Sequence, residues 1–271
     1  MTVGLLHPGE MGAAVGAALR ARGETVLWAS TGRSSATAER AEGAGLTDVG
    51  EVRVLCQRCD FLLAVCPPHA AVDVARLAGG FGGVYVDANA VSPETARVVA
   101  GLVDRFVDGG IIGSPPHGAD TTRLYLSGRE AELVAELFRG TIVDARVVSE
   151  APGVASALKM SYASWTKGSS ALLLAARALA QAEGVEDALL EEWQLSLPHL
   201  GERSVAAAES ALEKGWRWVG EMEEIAATYA VAGLPEGFHQ AAAEIYERAS
   251  AVPSDDARMD RVLSAIRARS R

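Results

Sequence analysis

The sequence predicts an α/β domain with a doubly wound sheet, followed by an all-α domain built on a long interdomain helix. Three observations carry this expectation. Short β-branched runs alternate with helix-length stretches through the first 149 residues, the first run leads straight into a glycine-rich turn, and beyond Ser149 the strand-like texture gives way to Ala/Leu-rich helical pattern. The expected domains are therefore 1-149 and 150-271.

In chain order, the strand candidates are Val3 to Leu6, Thr25 to Ala29, Phe61 to Cys66, Val84 to Ala88 and Arg105 to Val107, then Leu124 to Ser127 and Arg146 to Val148. Helices are expected at Met11 to Arg22, Ala70 to Leu77 and Pro93 to Val103. Ser92-Pro93-Glu94 opens the last of these with an N-cap serine, a proline at the first helical position and an acid in the first turn. Ala151 to Glu183 reads as one helix closed by Gly184. At about 45 Å it is long enough to bridge two domains or two subunits. Further helices follow, with breaks expected at Pro198, Gly201, Gly215, Gly233 to Gly237 and Pro253. Near the end, Ser254-Asp255-Asp256 precedes Arg258, Arg261, Arg267, Arg269 and Arg271, the charge order of a capped helix.

Composition narrows the function. Apolar residues make up 49% of the chain, yet no run approaches the roughly 18 residues needed to span a bilayer. No basic segment leads into an apolar stretch and cleavage site at the start, so no membrane partner and a cytoplasmic location are expected. A net charge of -10 argues against nucleic acid, which requires a basic surface. Three cysteines, an odd number, do not suit a disulfide scaffold. Cys56-Gln57-Arg58-Cys59 has the spacing of a zinc or redox pair, but it lacks a second pair and runs into a strand, so no metal is expected.

The stretch from Gly4 to Gly16 holds the first functional signal. A dinucleotide fingerprint reads G-x-G-x-x-G, whereas here the frame is His7-Pro8-Gly9-Glu10-Met11-Gly12. One glycine of such a turn permits the tight bend, one lets backbone approach the pyrophosphate, and one lets helix pack on strand. Gly9 and Gly12 can serve the second and third roles, and the first-turn N–H groups supply an anion site. His7 and Pro8 then occupy the bend, so His7 must take either negative φ or a tolerated left-handed conformation. Flanked by two strands, the turn indicates a Rossmann-type dinucleotide domain; the plain alternative is a sharp turn without a ligand. After the second strand the loop Ala29-Ser30-Thr31-Gly32-Arg33-Ser34-Ser35 contains no acid to accept from a ribose hydroxyl. Ser30, Thr31, Arg33 and Ser34 suit a 2′-phosphate, so NADP(H) is favoured over NAD(H), unless the loop is simply solvated.

Further motifs follow in order: Val65-Cys66-Pro67-Pro68, Asp87-Ala88-Asn89-Ala90-Val91-Ser92-Pro93, Asp108-Gly109-Gly110-Ile111-Ile112-Gly113-Ser114, and Gly153 ahead of Lys159. With Met11 in the glycine turn, they resemble the 6-phosphogluconate dehydrogenase and 3-hydroxyisobutyrate dehydrogenase (β-hydroxyacid dehydrogenase) superfamily. The helical half is similar to its phosphogluconate-dehydrogenase-like branch through Lys159-Met160-Ser161-Tyr162-Ala163, Lys167-Gly168 and Gly220-Glu221-Met222-Glu223-Glu224-Ile225. This resemblance implies an oxidoreductase in which Lys159 takes the substrate hydroxyl proton, or returns it, as hydride passes to or from the nicotinamide. It adds Cys66, Pro67, Pro68 and Asn89 to the cofactor side. A lysine suits that task when burial or a nearby cation lowers its pKa. Lys167 shares its helix face but lies about 12 Å along the axis, too far to do so alone.

The departures bear on substrate. The family asparagine four residues after the lysine is Ala163, and the usual Ser-Gly-Gly aligns with Ile112-Gly113-Ser114, without its carboxylate-binding serine. Ser92, Gly113, Ser114, Tyr162, Ala163, Thr166 and His239 are the substrate-side candidates, with His117 and Glu221 behind them. No cluster of lysines and arginines precedes the tail in the helical half, which argues against 6-phosphogluconate. The expected activity is NADP-dependent hydride transfer between the nicotinamide and a small hydroxy acid or its oxo partner. An imine reductase and a catalytically silent NADP-binding protein are the other readings. The Ala-rich helical half is expected to form a homodimer.

Overall fold

The computed structural model describes residues 1–119, 121–253 and 258–268; Ser254, Asp255, Asp256, Arg269 and Arg271 of the expected C-terminal charge pattern lie outside the described residues. Contacts divide the chain into two compact units, Met1–Met160 and Ser161–Arg271.

The first unit carries an eight-stranded sheet: β1 (Thr2–Leu6), β2 (Thr25–Trp28), β3 (Thr47–Asp48), β4 (Phe61–Ala64), β5 (Val84–Asp87), β6 (Phe106–Gly113), β7 (Thr122–Ser127) and β8 (Val143–Ser149). Their order is β3-β2-β1-β4-β5-β6-β7-β8. All neighbours are parallel except β6 and β7, which pair antiparallel. Because the chain runs outward from β1 first through β2 and β3 and then through β4 and beyond, the strand order reverses at β1/β4. In such sheets a crevice opens there, at the carboxyl ends of the strands.

The fully buried strands explain the nearly continuous apolar runs in the sequence. Alternate residues serve opposite faces. Val3, Leu5, Val26, Trp28, Phe61 and Leu63 join one cluster with Val15 and Leu19 of α1 (Glu10–Arg22). Leu6, Leu27, Leu62 and Tyr85 join the other with Leu55 of α3 (Val52–Arg58) and Val74 of α4 (Ala71–Leu77). Between β2 and β3 lies α2 (Ser35–Gly43), and α6 (Ala131–Phe138) precedes β8. Ser92 caps α5 (Pro93–Ala100) as its sequence suggests, accepting from the Thr95 N–H at 3.1 Å with Pro93 in the first turn.

Strand β6 is longer than the three residues its β-branched run predicts. The extension passes through Gly109 and Gly110, which look like loop in sequence but are required by close packing. A Cβ at Gly109 would meet the Asp87 carbonyl oxygen at 3.0 Å, and one at Gly110 would meet the Ala155 oxygen at 2.8 Å and the Lys159 Cβ at 3.0 Å. Gly110 thus lets the start of α7 (Val154–Ala182) lie directly against β6. Asp108, fully buried, fixes that start. Its carboxylate accepts from the Ser156 hydroxyl at 2.6 Å, the Ser156 N–H at 3.0 Å and the Ser127 hydroxyl at 2.9 Å. Ser127 Oγ in turn accepts from the Ala155 N–H at 2.9 Å. Two first-turn N–H groups that a helix leaves outside its own ladder are therefore satisfied by side chains of β6 and β7, and the carboxylate sits at the positive end of the helix. Gly153, at φ +90°, sets the bend before it.

In the second unit the remainder of α7 is followed by α8 (Glu186–Ser196), α9 (Leu200–Val231), α10 (Gly237–Ser250) and α11 (Met259–Arg267). The breaks expected at Pro198 and near Pro253 fall between helices, and that at Gly233 to Gly237 separates α9 from α10, which begins at Gly237. Those at Gly201 and Gly215 do not occur, since α9 runs through both. A Cβ at Gly215 would meet the Tyr246 carbonyl oxygen at 3.1 Å and Ser250 Cβ at 3.2 Å. The glycine is there to bring α9 and α10 close. Buried Arg177 donates to Ser204 Oγ at 2.9 Å and pairs with Glu186, joining α7, α8 and α9.

Two substitutions test these close approaches. Asp108→Ala leaves three donors around a buried gap and is expected to lower unfolding stability by about 3 kcal/mol in urea titrations. Gly215→Val is expected to cost about 2 kcal/mol by overpacking, whereas Gly220→Ala, where a Cβ meets nothing, is neutral or stabilising.

Candidate functional site

The crevice side of the first unit gathers the loops at the carboxyl ends of β1, β2, β4 and β5. At the end of β1, His7 takes φ +66°, the left-handed conformation that a glycine ordinarily supplies in this turn. Gly9 N–H donates to the His7 carbonyl at 2.8 Å, and α1 starts from Gly9 as its N-cap. A Cβ at Gly12 would meet the His7 carbonyl oxygen at 2.7 Å, so Gly12 is the residue that lets helix and turn close. At Gly9 a Cβ would meet nothing within 4 Å, leaving an open backbone face at the helix N-terminus. Pro8 is buried, Met11 packs on the core and Glu10 is exposed.

Arg33 comes from the loop after β2 and donates to Nε2 of His7. Burial, and after it the Arg33 charge, pushes the His7 ring down to about 4, so it is neutral at physiological pH. With Nε2 accepting, the ring proton belongs on Nδ1, a buried atom that meets no hydrogen-bond partner among the described residues. The loop itself is built by bonds from its N–H groups: Ser30 N–H donates to the Asp48 carboxylate, Thr31 N–H to the Gly50 carbonyl, and Arg33 N–H to the Ser30 carbonyl, with Gly32 at φ +76°. The Ser34 hydroxyl caps α2, accepting from Thr37 N–H at 3.3 Å. Thr31 is exposed and Ser30 half-buried.

Across the switch point, Cys66 N–H donates to Asn89 Oδ1 at 2.5 Å, and Asn89 N–H donates to Asp87 at 2.9 Å. The Asn89 amide nitrogen is buried and has no partner among the described residues. Burial first, then Asp87, pushes the Cys66 thiol up to about 12, so it stays protonated. Half-buried Pro67 and Pro68 lead into a 3-10 turn at Pro68–Ala70. The other two cysteines are packing groups: burial first pushes Cys59 up to about 12, and its sulfur lies 3.0 Å from where a Cβ of Gly4 would stand. Among the described residues no group of three or more His, Cys, Asp or Glu is arranged to hold a metal ion.

The donor set fits an anionic dinucleotide. Two buried donors await acceptors, one guanidinium reaches the end of β1, and the α1 N-terminus has an uncovered glycine in front of it. His7, Gly9, Arg33 and Asn89 are the residues that could hold it.

In the first unit the catalytic candidate Lys159 is half-buried, its Cβ held by the approach of α7 to Gly110. Ser92 is buried, its hydroxyl donating to Thr95 Oγ1 at 2.9 Å. Gly113, at φ +124°, is a backbone requirement, because a Cβ there would fall 2.1 Å from the Thr121 oxygen. Ser114 is exposed, and so is His117, whose ring contacts the Pro115 carbonyl. In place of the family serine, Ile112 is buried.

In the second unit Tyr162 is exposed, Ala163 is buried, and the Thr166 hydroxyl donates back to the Tyr162 carbonyl at 3.2 Å. His239 is buried on α10 and its Nε2 meets Ser164 Oγ at 3.0 Å, which in turn meets Tyr229 OH at 2.7 Å. Burial lowers its pKa, partly opposed by the bond to Ser164. Lys167 is ion-paired with Glu221 and stands 5.3 Å from the Trp218 ring centre. Sequence reasoning passed over Ser164 and Tyr229; neither lies in a motif, and only the packing of α7, α9 and α10 brings them to His239.

Comparison with known proteins agrees with this geometry. Residues 180–249 match a family described as a domain of unknown function, DUF1932. An uncharacterized 28.5 kDa protein of Methanothermus fervidus is 32% identical over 163 residues, 59% of this chain and 63% of that protein, so the chain spans somewhat under two thirds of this curated relative. Among solved structures, the conserved protein MTH1747, of unknown function and described as structurally similar to 3-hydroxyacid dehydrogenases, is 32% identical with a TM-score of 0.67, covering 92% of this chain and 98% of that one. A 3-hydroxyisobutyrate dehydrogenase from Salmonella typhimurium shares the fold at 16% identity and a TM-score of 0.69, over 97% and 99% of the two chains. An imine reductase from Myxococcus stipitatus, in complex with NAD+, does so at 20% and 0.58, over 97% and 98%. The strand order, the glycine turn and these relatives place the chain in the β-hydroxyacid dehydrogenase superfamily.

Proposed function

We propose that the chain is an NADP(H)-dependent oxidoreductase acting on a small polar substrate of the hydroxy acid or oxo acid type, with Lys159 as general acid/base. The observation that carries this reading is the dinucleotide turn at the switch point with Arg33 reaching across to His7, where an NAD-selective protein would present an acid to the ribose. When bound, the nicotinamide accepts or supplies the hydride. Lys159 receives the hydroxyl proton in oxidation and returns it in reduction, a task for which a lysine fixed against the sheet by Gly110 is better suited than a solvated one.

A second reading, an imine reductase, is favoured by Ile112 and Ala163. Both are buried and apolar where a carboxylate-binding family member presents a serine and an asparagine. For this chemistry the same lysine would deliver a proton to the imine nitrogen as hydride reaches carbon.

We also propose a homodimer formed through α7. Leu158, Tyr162, Trp165, Ser169, Leu172, Ala176 and Leu179 repeat at alternating spacings of four and three, the seam of a coiled coil. Trp165 is 72% exposed and Leu172 and Leu179 are each 63% exposed, a largely apolar stripe broken by Ser169, of the kind that marks an interaction surface.

Fluorescence titration is expected to show tighter binding of NADPH than of NADH. On a panel of hydroxy acids, oxo acids and cyclic imines, Lys159→Ala is expected to lower turnover by about a thousandfold with NADPH affinity unchanged. Activity confined to imines would favour the second reading, and binding without turnover of any substrate would indicate a silent dinucleotide protein. Sedimentation equilibrium is expected to give about twice the 28.2 kDa chain mass, falling to one chain in Trp165→Glu/Leu172→Glu. A wild-type mass of one chain would refute the dimer.

A further inference from the structure

We propose that His7 is a specificity-determining residue for the adenosine 2′-phosphate, acting as the acceptor that holds the Arg33 guanidinium at the end of β1. The inference rests on the NADP(H) reading and deepens it.

Several observations converge on this pair. His7 occupies a left-handed turn position, φ +66°, where a glycine would be unstrained and would be enough for the bend itself. A side chain kept there against that cost, on the order of 1–2 kcal/mol, calls for a compensating interaction. The interaction present is the hydrogen bond from Arg33. It joins the turn after β1 to the loop after β2, the two segments between which the adenosine ribose of a dinucleotide lies in folds of this strand order.

The charge balance of the pair also points to an anion. Arg33 is half-buried, yet among the described residues no carboxylate is paired with it. The groups facing it are the His7 ring and the Cys66 thiol, both neutral: burial and Arg33 hold the first down to about 4, and burial first and then Asp87 push the second up to about 12. A cation so placed has no counter-charge of its own, and a phosphate supplies two acceptor edges for a guanidinium fork. The Arg33 Nε and the His7 Nδ1 are both buried without a partner among the described residues, so the pair presents donors that a phosphate oxygen would satisfy. Without His7 the guanidinium loses the acceptor that orients it and must be ordered at the moment of binding. That cost falls on the 2′-phosphate ligand alone, because a cofactor with a bare ribose makes no use of Arg33.

Binding constants for NADPH and NADH, measured on wild type, His7→Gly, Arg33→Ala and the double variant, test this. Glycine is at ease at φ +66°, so His7→Gly keeps the turn; His7→Asn, which also tolerates the left-handed region and retains an acceptor, serves as a second variant. His7→Gly is expected to weaken NADPH about tenfold while NADH stays within about twofold, a selectivity change that a merely structural role would not produce. His7→Asn is expected to restore part of it, and the double variant to bind NADPH no more weakly than Arg33→Ala. Equal weakening of both cofactors would place His7 on the shared pyrophosphate and overturn the proposal, as would additive effects or no effect. A wild-type protein that binds NADH as tightly as NADPH would overturn the cofactor reading, and this inference with it; a wild type that prefers NADPH and is indifferent to His7→Gly would overturn this inference alone.

Discussion

The Asp108 carboxylate, closed off from solvent between β6, β7 and the first turn of α7, accepts three hydrogen bonds that together decide where the long helix begins. Removing a carboxylate from water is costly unless its oxygens are satisfied, and here they are satisfied by the groups of the helix start itself. The arrangement needs Gly110 beside it, because the helix can reach Asp108 only by lying against bare backbone. Lys159 then emerges one turn beyond Ser156 at a height above the sheet that it has no freedom to choose. The general acid/base role proposed for Lys159 would draw on such fixed placement.

The same economy of side chains appears at the other end of the crevice. Gly12 admits the His7 carbonyl, and Gly9 leaves its own face uncovered. Where a glycine fingerprint would put its first glycine, a histidine bears backbone strain and uses its ring on Arg33. Cys66, Asn89 and Asp87 form a linked chain on the far side of β1, which ties the loop after β4 to the loop after β5. Both walls are thus set by hydrogen bonds between loops far apart in sequence.

In the helical unit, polar groups are buried in pairs and triads: Arg177 with Glu186 and Ser204, Lys167 with Glu221, and His239 with Ser164 and Tyr229. Each joins helices that small residues bring close, as Gly215 does between α9 and α10. Buried polar contacts of this kind fix which helix faces meet, while the Ala-rich faces alone would pack in several registers. On α7 Met160, Leu173 and Leu174 are buried, while Leu158, Tyr162, Trp165, Leu172 and Leu179 point to solvent, an apolar surface that the proposed dimer would cover.

Much of this was legible in the sequence by itself, because local physics writes it there. Apolar runs of strand length, amphipathic helices between them, the Ser92-Pro93 cap and the loss of strand texture after Ser149 gave the two halves and the order of their elements. The glycine turn announced the strand-to-helix bend at the end of β1, and the motif order pointed to the superfamily. What only the tertiary structure decided are relations between residues distant in the chain. The two-residue strand β3 is too short to show a period, and it exists because β2 offers it an edge. Gly109, Gly110 and Gly215 look like breaks, whereas each lies inside a regular element and is small because another backbone passes within contact distance. Asp108 as the cap of a helix nearly fifty residues away and the bond between His7 and Arg33 leave no local signature at all, and the sequence leaves open which of two conformations His7 takes. They depend on which side chains the folded sheet brings to one place, and a linear pattern of residue types does not carry that information.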